Sequence, residues 1–232
     1  MTDPRILATQ ARAMRHLELR QESLSHTLAN ASTPGFRADR VFARMAPDAS
    51  GPLTEQALDR SAGPVQATRR PLDLALEGPG FLVVSTPQGE RLTRAGNLTV
   101  DAAGRLTNGQ GHPVLGRRGT IVLPPGEVVV NPDGRVHVEG HPLDELRLEV
   151  PEEEAELLRE GGQLFSLPPG VGTERSSETR VKQGFLEGSN AEPIQAMTEM
   201  LEIQRSFASL QRSVHVLDGV LDRVANDLGR VR

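Results

Sequence analysis

The sequence predicts an α+β protein in which N- and C-terminal heptad helices pair as an antiparallel coiled-coil stalk and the middle of the chain forms an all-β domain. Three observations predict it. Apolar side chains recur at steps of three and four at both ends, short β-branched runs bounded by turn residues fill the centre, and a Pro-, Gly- and Arg-punctuated stretch joins them. The expected division is an N-terminal helix over residues 1–35, an extended connector over 36–77, a central β domain over 78–186 and a C-terminal helix over 187–232.

The first helix is marked by Leu7, Gln10, Met14, Leu17, Gln21, Leu24, Leu28 and Ala31, so two places of its seam are polar. Asp3 followed by Pro4 is a cap and first-turn pair. The helix must stop before Pro34, because the residue ahead of a proline is pushed out of the α region. Residues 37–77 show little period and read as extended, with room for strands near their end. The runs FLVVST, ERLTRAG, NLTVD, GRLTN, TIVLP, EVVVN, GRVHVEG, LRLEV and VKQGFLE then read as strands at the spacing of an all-β unit. Two stretches resemble each other, VDAAGRLTNGQGHP (100–113) and VNPDGRVHVEGHP (130–142). Each reads as a turn, a strand and a second turn, with Pro132 and Gly134 suited to a type I turn. EEEAELLREGG (152–162) reads as a short surface helix or a loop, its acid run a solvated face.

The second helix has the stronger stripe, with Met200, Ile203, Phe207, Leu210, Val214, Leu217, Leu221, Val224 and Leu228 at heptad spacing. Ser189 or Glu192 supplies its cap, with Pro193 in the first turn. At 1.5 Å per residue the two helices would run about 40 Å and about 50 Å. Stripes this long and narrow require helical partners.

Composition removes several classes of function. A net charge of −5 gives no basic field to attract nucleic acid, and six Phe without Trp or Tyr leave little surface for stacking bases or sugars. With no Cys there is no thiol nucleophile and no thiolate metal site. No apolar run approaches the roughly 18 residues of a membrane span, and the N-terminus alternates charged and apolar residues, which predicts no cleavable secretory signal. Taken alone, that points to the cytoplasm.

The chemistry-bearing residues form no recognisable constellation. His137 and His141 are close in sequence, but in a strand-and-turn context a four-residue spacing does not bring two imidazoles together. Gly78-Pro79-Gly80 places a proline where a phosphate nest needs a free amide, so it reads as a turn before the strand at Phe81. The triplets at Asn30 and Asn97 fit a glycosylation acceptor and are discounted without a secretory signal. No catalytic residue, cofactor or metal site is expected.

Four ordered segments carry a resemblance. LANASTPGFR (28–37) resembles the N-terminal signature of the bacterial flagellar axial proteins, the rod and hook family. PLDLALEGPGFLVV (71–84) and RAGNLTVDAAGRLTNGQGHPVLG (94–116) resemble the opening and the Gly-rich hairpins of its β domain, and QGFLEGSNAEPIQAMTEMLEIQRSF (183–207) its C-terminal entry segment. Within the family the proximal-rod branch looks most similar and the distal-rod branch next, although Ser206 and Phe207 stand where the family commonly has an Ala-Tyr or similar pair. The resemblance implies a non-enzymatic subunit of the flagellar basal-body rod that meets other proximal and distal rod subunits. It also implies passage through the flagellar type III export apparatus without signal cleavage and a place in the periplasm, reversing the cytoplasmic expectation. Leu28, Ala29, Asn30, Thr33, Pro34, Gly35 and Phe36 become its assembly motif, with Phe36 an apolar anchor where the connector departs. The competing classes are a distal-rod or hook subunit and, more remotely, a soluble β-domain enzyme or ligand-binding module.

Overall fold

The computed structural model describes residues 4–45, 52–152 and 157–229, with helix side chains described over residues 11–29 and 193–213 and at His215, Val216 and Gly219. The chain divides into two compact units. The first holds Met1–Ala29, Asp39–Ala57 and Glu192–Arg232; the second holds Asn30–Ala38 and Leu58–Ala191.

The first unit contains α1 (Pro4–Ala29), the strands β1 (Asp39–Met45) and β2 (Pro52–Leu58), which pair with each other, and α2 (Pro193–Gly229). α1 packs against both α2 and β1. On α2 the covered side chains are Ala196 and Ile203, flanked by half-buried Glu199, Met200, Phe207 and Leu210. This is the three-four stripe of a helix with a single packed face. Arg20 ties the two helices together through Glu199 at 3.0 Å.

On α1, Met14, Leu17, Leu24 and Leu28 are half-buried, whereas the most buried positions are polar, Ser23 and Thr27. Their hydroxyls are satisfied locally: Ser23 Oγ donates to the Asp39 carbonyl and Thr27 Oγ1 to the Ser23 carbonyl, each at 2.9 Å. That satisfaction removes the cost of burying them. α1 ends at Ala29, so Ala31 lies in the following turn and outside the helical seam. The side chains of Leu7, Val214, Leu217, Leu221, Val224 and Leu228 lie outside the described residues.

The second unit is β-rich. Its strands are β3 (Val65–Ala67), β4 (Leu74–Glu77), β5 (Phe81–Thr86), β6 (Gly89–Thr93), β7 (Thr99–Val100), β8 (Leu106–Thr107), β9 (Leu115–Gly116) and β10 (Gly119–Thr120). They continue with β11 (Val128–Val130), β12 (Arg135–Val138), β13 (His141–Glu145), β14 (Leu148–Pro151) and β15 (Leu158–Arg159). The last four are β16 (Leu164–Ser166), β17 (Thr173–Arg175), β18 (Arg180–Gln183) and β19 (Phe185–Glu187). An antiparallel six-stranded sheet runs β15-β16-β6-β5-β14-β17, and β11-β12-β13 form a three-stranded sheet. Strand β5 is buried on both faces, since Leu82 and Val84 enter one core cluster while Phe81 and Val83 enter another with Leu92, Leu115 and Phe165. Phe81 and Phe165 meet edge to face with centroids 6.0 Å apart.

The two similar stretches share their first turn. The Asp101 amide donates to the Arg105 carbonyl and Gly104 back to Asp101, and Asn131, Arg135 and Gly134 repeat the pattern bond for bond. One reading of the sequence changes. Leu158 and Arg159, placed in a helix or loop, form an edge strand against β16, while residues 153–156 of that acidic stretch lie outside the described residues. The expected connector, read with room for strands near its end, holds β3 and β4 there, and β1 and β2 pair with each other earlier in it. No described helix is long and apolar enough to cross a membrane.

Candidate assembly junction

The residues after α1 form a hydrogen-bonded turn. Thr33 donates its amide to the Asn30 carbonyl at 3.0 Å and its hydroxyl to Asn30 Oδ1 at 3.2 Å, and the Phe36 amide donates to the Thr33 carbonyl at 3.3 Å. Gly35 takes φ +69°, a conformation that favours glycine, and its amide donates to the Glu187 carbonyl at 2.8 Å. A Cβ at Gly35 would lie 2.5 Å from the Arg94 carbonyl carbon, so the turn presses directly on the backbone after β6. Pro34 is half-buried and Phe36 is buried, its ring under the Arg159 guanidinium at 4.9 Å. Leu28 and Ala29 precede the turn as the last residues of α1.

Beside the turn lies a buried ionic cluster. Arg37 and Arg94 are each 2% exposed and Glu187 1% exposed. One oxygen of Glu187 forms an ion pair with Arg37 Nη2 at 2.5 Å and accepts from the Gly63 amide at 3.1 Å; the other accepts from Arg94 Nε at 3.0 Å. Arg94 also donates to the carbonyls of Leu76, Gly78 and Gly80, which fastens the Gly78-Pro79-Gly80 turn ahead of β5. Burial pushes the Arg94 guanidinium down from its ordinary value, while the adjoining Glu187 carboxylate acts in the opposite direction.

Asn190 completes the junction. Its Oδ1 accepts from the Ala38 amide at 2.7 Å, its Nδ2 donates to the Asp59 and Ser61 carbonyls at 3.1 Å, and its own amide donates to the Phe36 carbonyl at 3.3 Å. Ser189 Oγ accepts from the Ala191 amide, and Glu192 occupies the position ahead of Pro193, where its carbonyl takes the Ala196 amide at 2.9 Å. Four stretches therefore cross at one place: residues 33–38, 61–64, 94–96 and 185–190. Glycines permit the crossing, since a Cβ on Gly63 would sit 2.2 Å from the Gly188 carbonyl oxygen and one on Gly35 2.5 Å from that of Arg94.

The turn at Thr33 to Phe36 was legible in the sequence; the partners that hold it were not. Arg37, Arg94, Glu187 and Asn190 all sit inside the quoted segments, and the signal was a charged or amide side chain within two residues of a glycine. Chemically the cluster fastens distant segments of the one chain to each other. Among the described residues no group of His, Asp or Glu is placed to hold a metal, and His137 pairs in register with Pro142 and not with His141. A cleft of about 570 Å³ lined by Pro71, Leu72, Val100, Leu123, Pro124 and Val128 is mainly apolar, and its neighbour Asp101 is engaged by Arg105 at 2.7 Å.

Comparison with known proteins decides the family. The model for the flagellar hook protein FlgE/F/G D1 domain matches residues 75–138, and the model for the C-terminal region of the flagellar basal-body rod FlgEFG proteins matches residues 182–228. The chain is 36% identical over 222 residues to the flagellar basal-body rod protein FlgF of Salmonella typhimurium, covering 85% of this chain and 88% of the relative. The chain belongs to the flagellar basal-body rod protein family. It is also 34% identical to Escherichia coli FlgF, over 90% of this chain and 91% of that protein. Similarity to FlgG of Bacillus subtilis is 27% over 92% of this chain and 95% of the relative. The two family matches meet at the junction of this rod-family chain, since Arg94 lies in the first and Glu187 and Asn190 in the second.

Proposed function

We propose that this chain is a structural subunit of the proximal rod of the flagellar basal body, without enzymatic activity, and that it carries motor torque by assembling with other proximal and distal rod subunits. The observation that carries this reading is the extended similarity to the FlgF proteins, which spans most of both chains. The physical support is a helical unit whose packed stripe on α2 is matched by a second, uncovered stripe at Ile194, Met197 and Leu201. Burying large apolar side chains gains about 1.5–3 kcal/mol each, so assembly supplies stability that the free chain lacks. In this reading α1 and α2 run antiparallel as a coiled-coil stalk. Equivalent helices of neighbouring subunits pack beside them, through head-to-tail contacts that propagate as a helix and do not close.

The chain would reach the periplasmic rod through the flagellum's own type III export apparatus, as its family resemblance implies. The test is Leu217→Asp with Leu221→Asp, introduced together into the flagellated cell. Rod growth and motility should be lost while the β unit stays folded; normal motility would overturn the assembly mechanism. The similarity to FlgG favours a second reading, a distal-rod subunit, which is separated by the stage at which basal-body assembly stops when the chain is missing.

A further inference from the structure

We propose that Arg37, Glu187 and Arg94 form a buried charge latch that makes the two terminal approaches to the β unit depend on each other, so that residues 33–38, 61–64 and 185–190 open and close as one element. Two guanidinium groups, each 2% exposed, share a single carboxylate. A buried charge deprived of its partner is strongly unfavourable, whereas the complete set offsets its own desolvation. The latch therefore tolerates all of its members or none.

The two arms of the latch are unequal. Arg94 keeps three carbonyl acceptors when Glu187 is removed. Arg37 has no such reserve, because its Nη1 is buried without a hydrogen-bond partner and its Nη2 is held by Glu187. Loss of the carboxylate thus releases the N-terminal approach first. Loss of Arg37 in turn removes one of the two cations that hold the Glu187 carboxylate, and it loosens an oxygen that also holds the Gly63 amide. Gly63 and Gly188 touch backbone to backbone, with Gly188 donating to the Pro64 carbonyl at 2.8 Å, so movement of residue 187 carries residues 61–64 with it. The side-chain path from Arg37 to Gly63 runs through the carboxylate, beside backbone bonds from Gly35 to Glu187 and from Asn190 to Phe36, and Arg37 itself touches neither Gly63 nor Gly188 through a described bond.

This latch is a property of the single chain, so it is tested without any rod. Hydrogen–deuterium exchange on the purified full-length protein reads the amides of Gly35, Gly63 and Gly188, with the Leu106 amide, bonded to the Ile121 carbonyl, as a distant control. Arg37→Met should speed exchange at all three glycines together, by about a hundredfold, and leave Leu106 unchanged. Arg37→Lys, of similar length but charged, should restore protection at Gly63 and Gly188. Glu187→Gln should give the same joint opening; if it unfolds the unit and Leu106 exchanges as well, the Arg37 pair decides. Faster exchange confined to Gly35, or equal behaviour of the Met and Lys variants, would overturn the latch and leave the rod-subunit reading intact.

Discussion

Gly35 tests the junction through a single methyl group. Replacing it by Ala adds a Cβ where φ is +69° and where the Arg94 carbonyl carbon and oxygen lie at 2.5 Å and the Ala95 nitrogen at 2.6 Å. The left-handed conformation alone costs about 1 kcal/mol for a residue with a Cβ. Forcing atoms into a packed site adds about 1–3 kcal/mol, and here the obstructing atoms are backbone and cannot rotate away. Gly111→Ala is the matched control in the same unit, with φ +84° and nothing within 4 Å of the new carbon, so it carries only the conformational cost. The difference between them, about 2 kcal/mol at mid-range, corresponds to roughly 4–8 °C in Tm for a protein of this size. Thermal unfolding followed by circular dichroism gives both values. Equal Tm losses for the two variants would refute the close approach of the turn to the backbone after β6.

In the helical unit, Ile203→Ala should cost about 2–4 kcal/mol by leaving a cavity under α1. Leu201→Ala, on the 55% exposed face, should cost less than about 0.5 kcal/mol; equal urea midpoints for the two would contradict the packing of α2 on α1. Acid should weaken the β unit. Hydrogen bonds from Arg147 to Glu90, from the Arg105 backbone and side chain to Asp101, and from Arg91 to Glu160 hold all three carboxyls below their ordinary values. Such groups bind protons more tightly when unfolded, so their contribution is complete above about pH 4.5 and is lost as pH falls through the lowered folded values. Urea midpoints measured from pH 7 to pH 2.5 should stay level and then fall, and Arg147→Met should make the acid limb shallower by removing the share of Glu90. A midpoint that rises on acidification would contradict this assignment.

What the sequence could show follows from how locally each feature is encoded. FLVVST was legible as a strand because both faces of its first four residues are buried, which makes Phe81 to Val84 all apolar. The paired turns at Asp101 and Asn131 were legible because a turn is closed by its own four or five residues. The β1–β2 hairpin was not, since it leaves Phe42 and Leu53 exposed and buries no full face, so no strict alternation is written into it. Ser23 and Thr27 fall outside the apolar stripe of the first helix and are nonetheless buried, because their hydroxyls return to carbonyls of the main chain. Ile194, Met197 and Leu201 were passed over for the opposite reason: the stronger stripe of Ile203 and its neighbours on the other face of α2 accounted for the helix by itself. The junction was half legible. Pro34 and Gly35 announce a turn by their own backbone restrictions, but Arg37, Arg94 and Glu187 meet only through the tertiary fold, and each alone looks like an ordinary surface charge.

The proposal that this chain builds the rod is tested most directly by electron microscopy of basal bodies from cells lacking it. Structures arrested at the proximal rod, without the distal rod and hook, and restored by the intact chain but not by the Leu217→Asp, Leu221→Asp variant, are the predicted result. Complete basal bodies with a full rod in cells lacking the chain would contradict it.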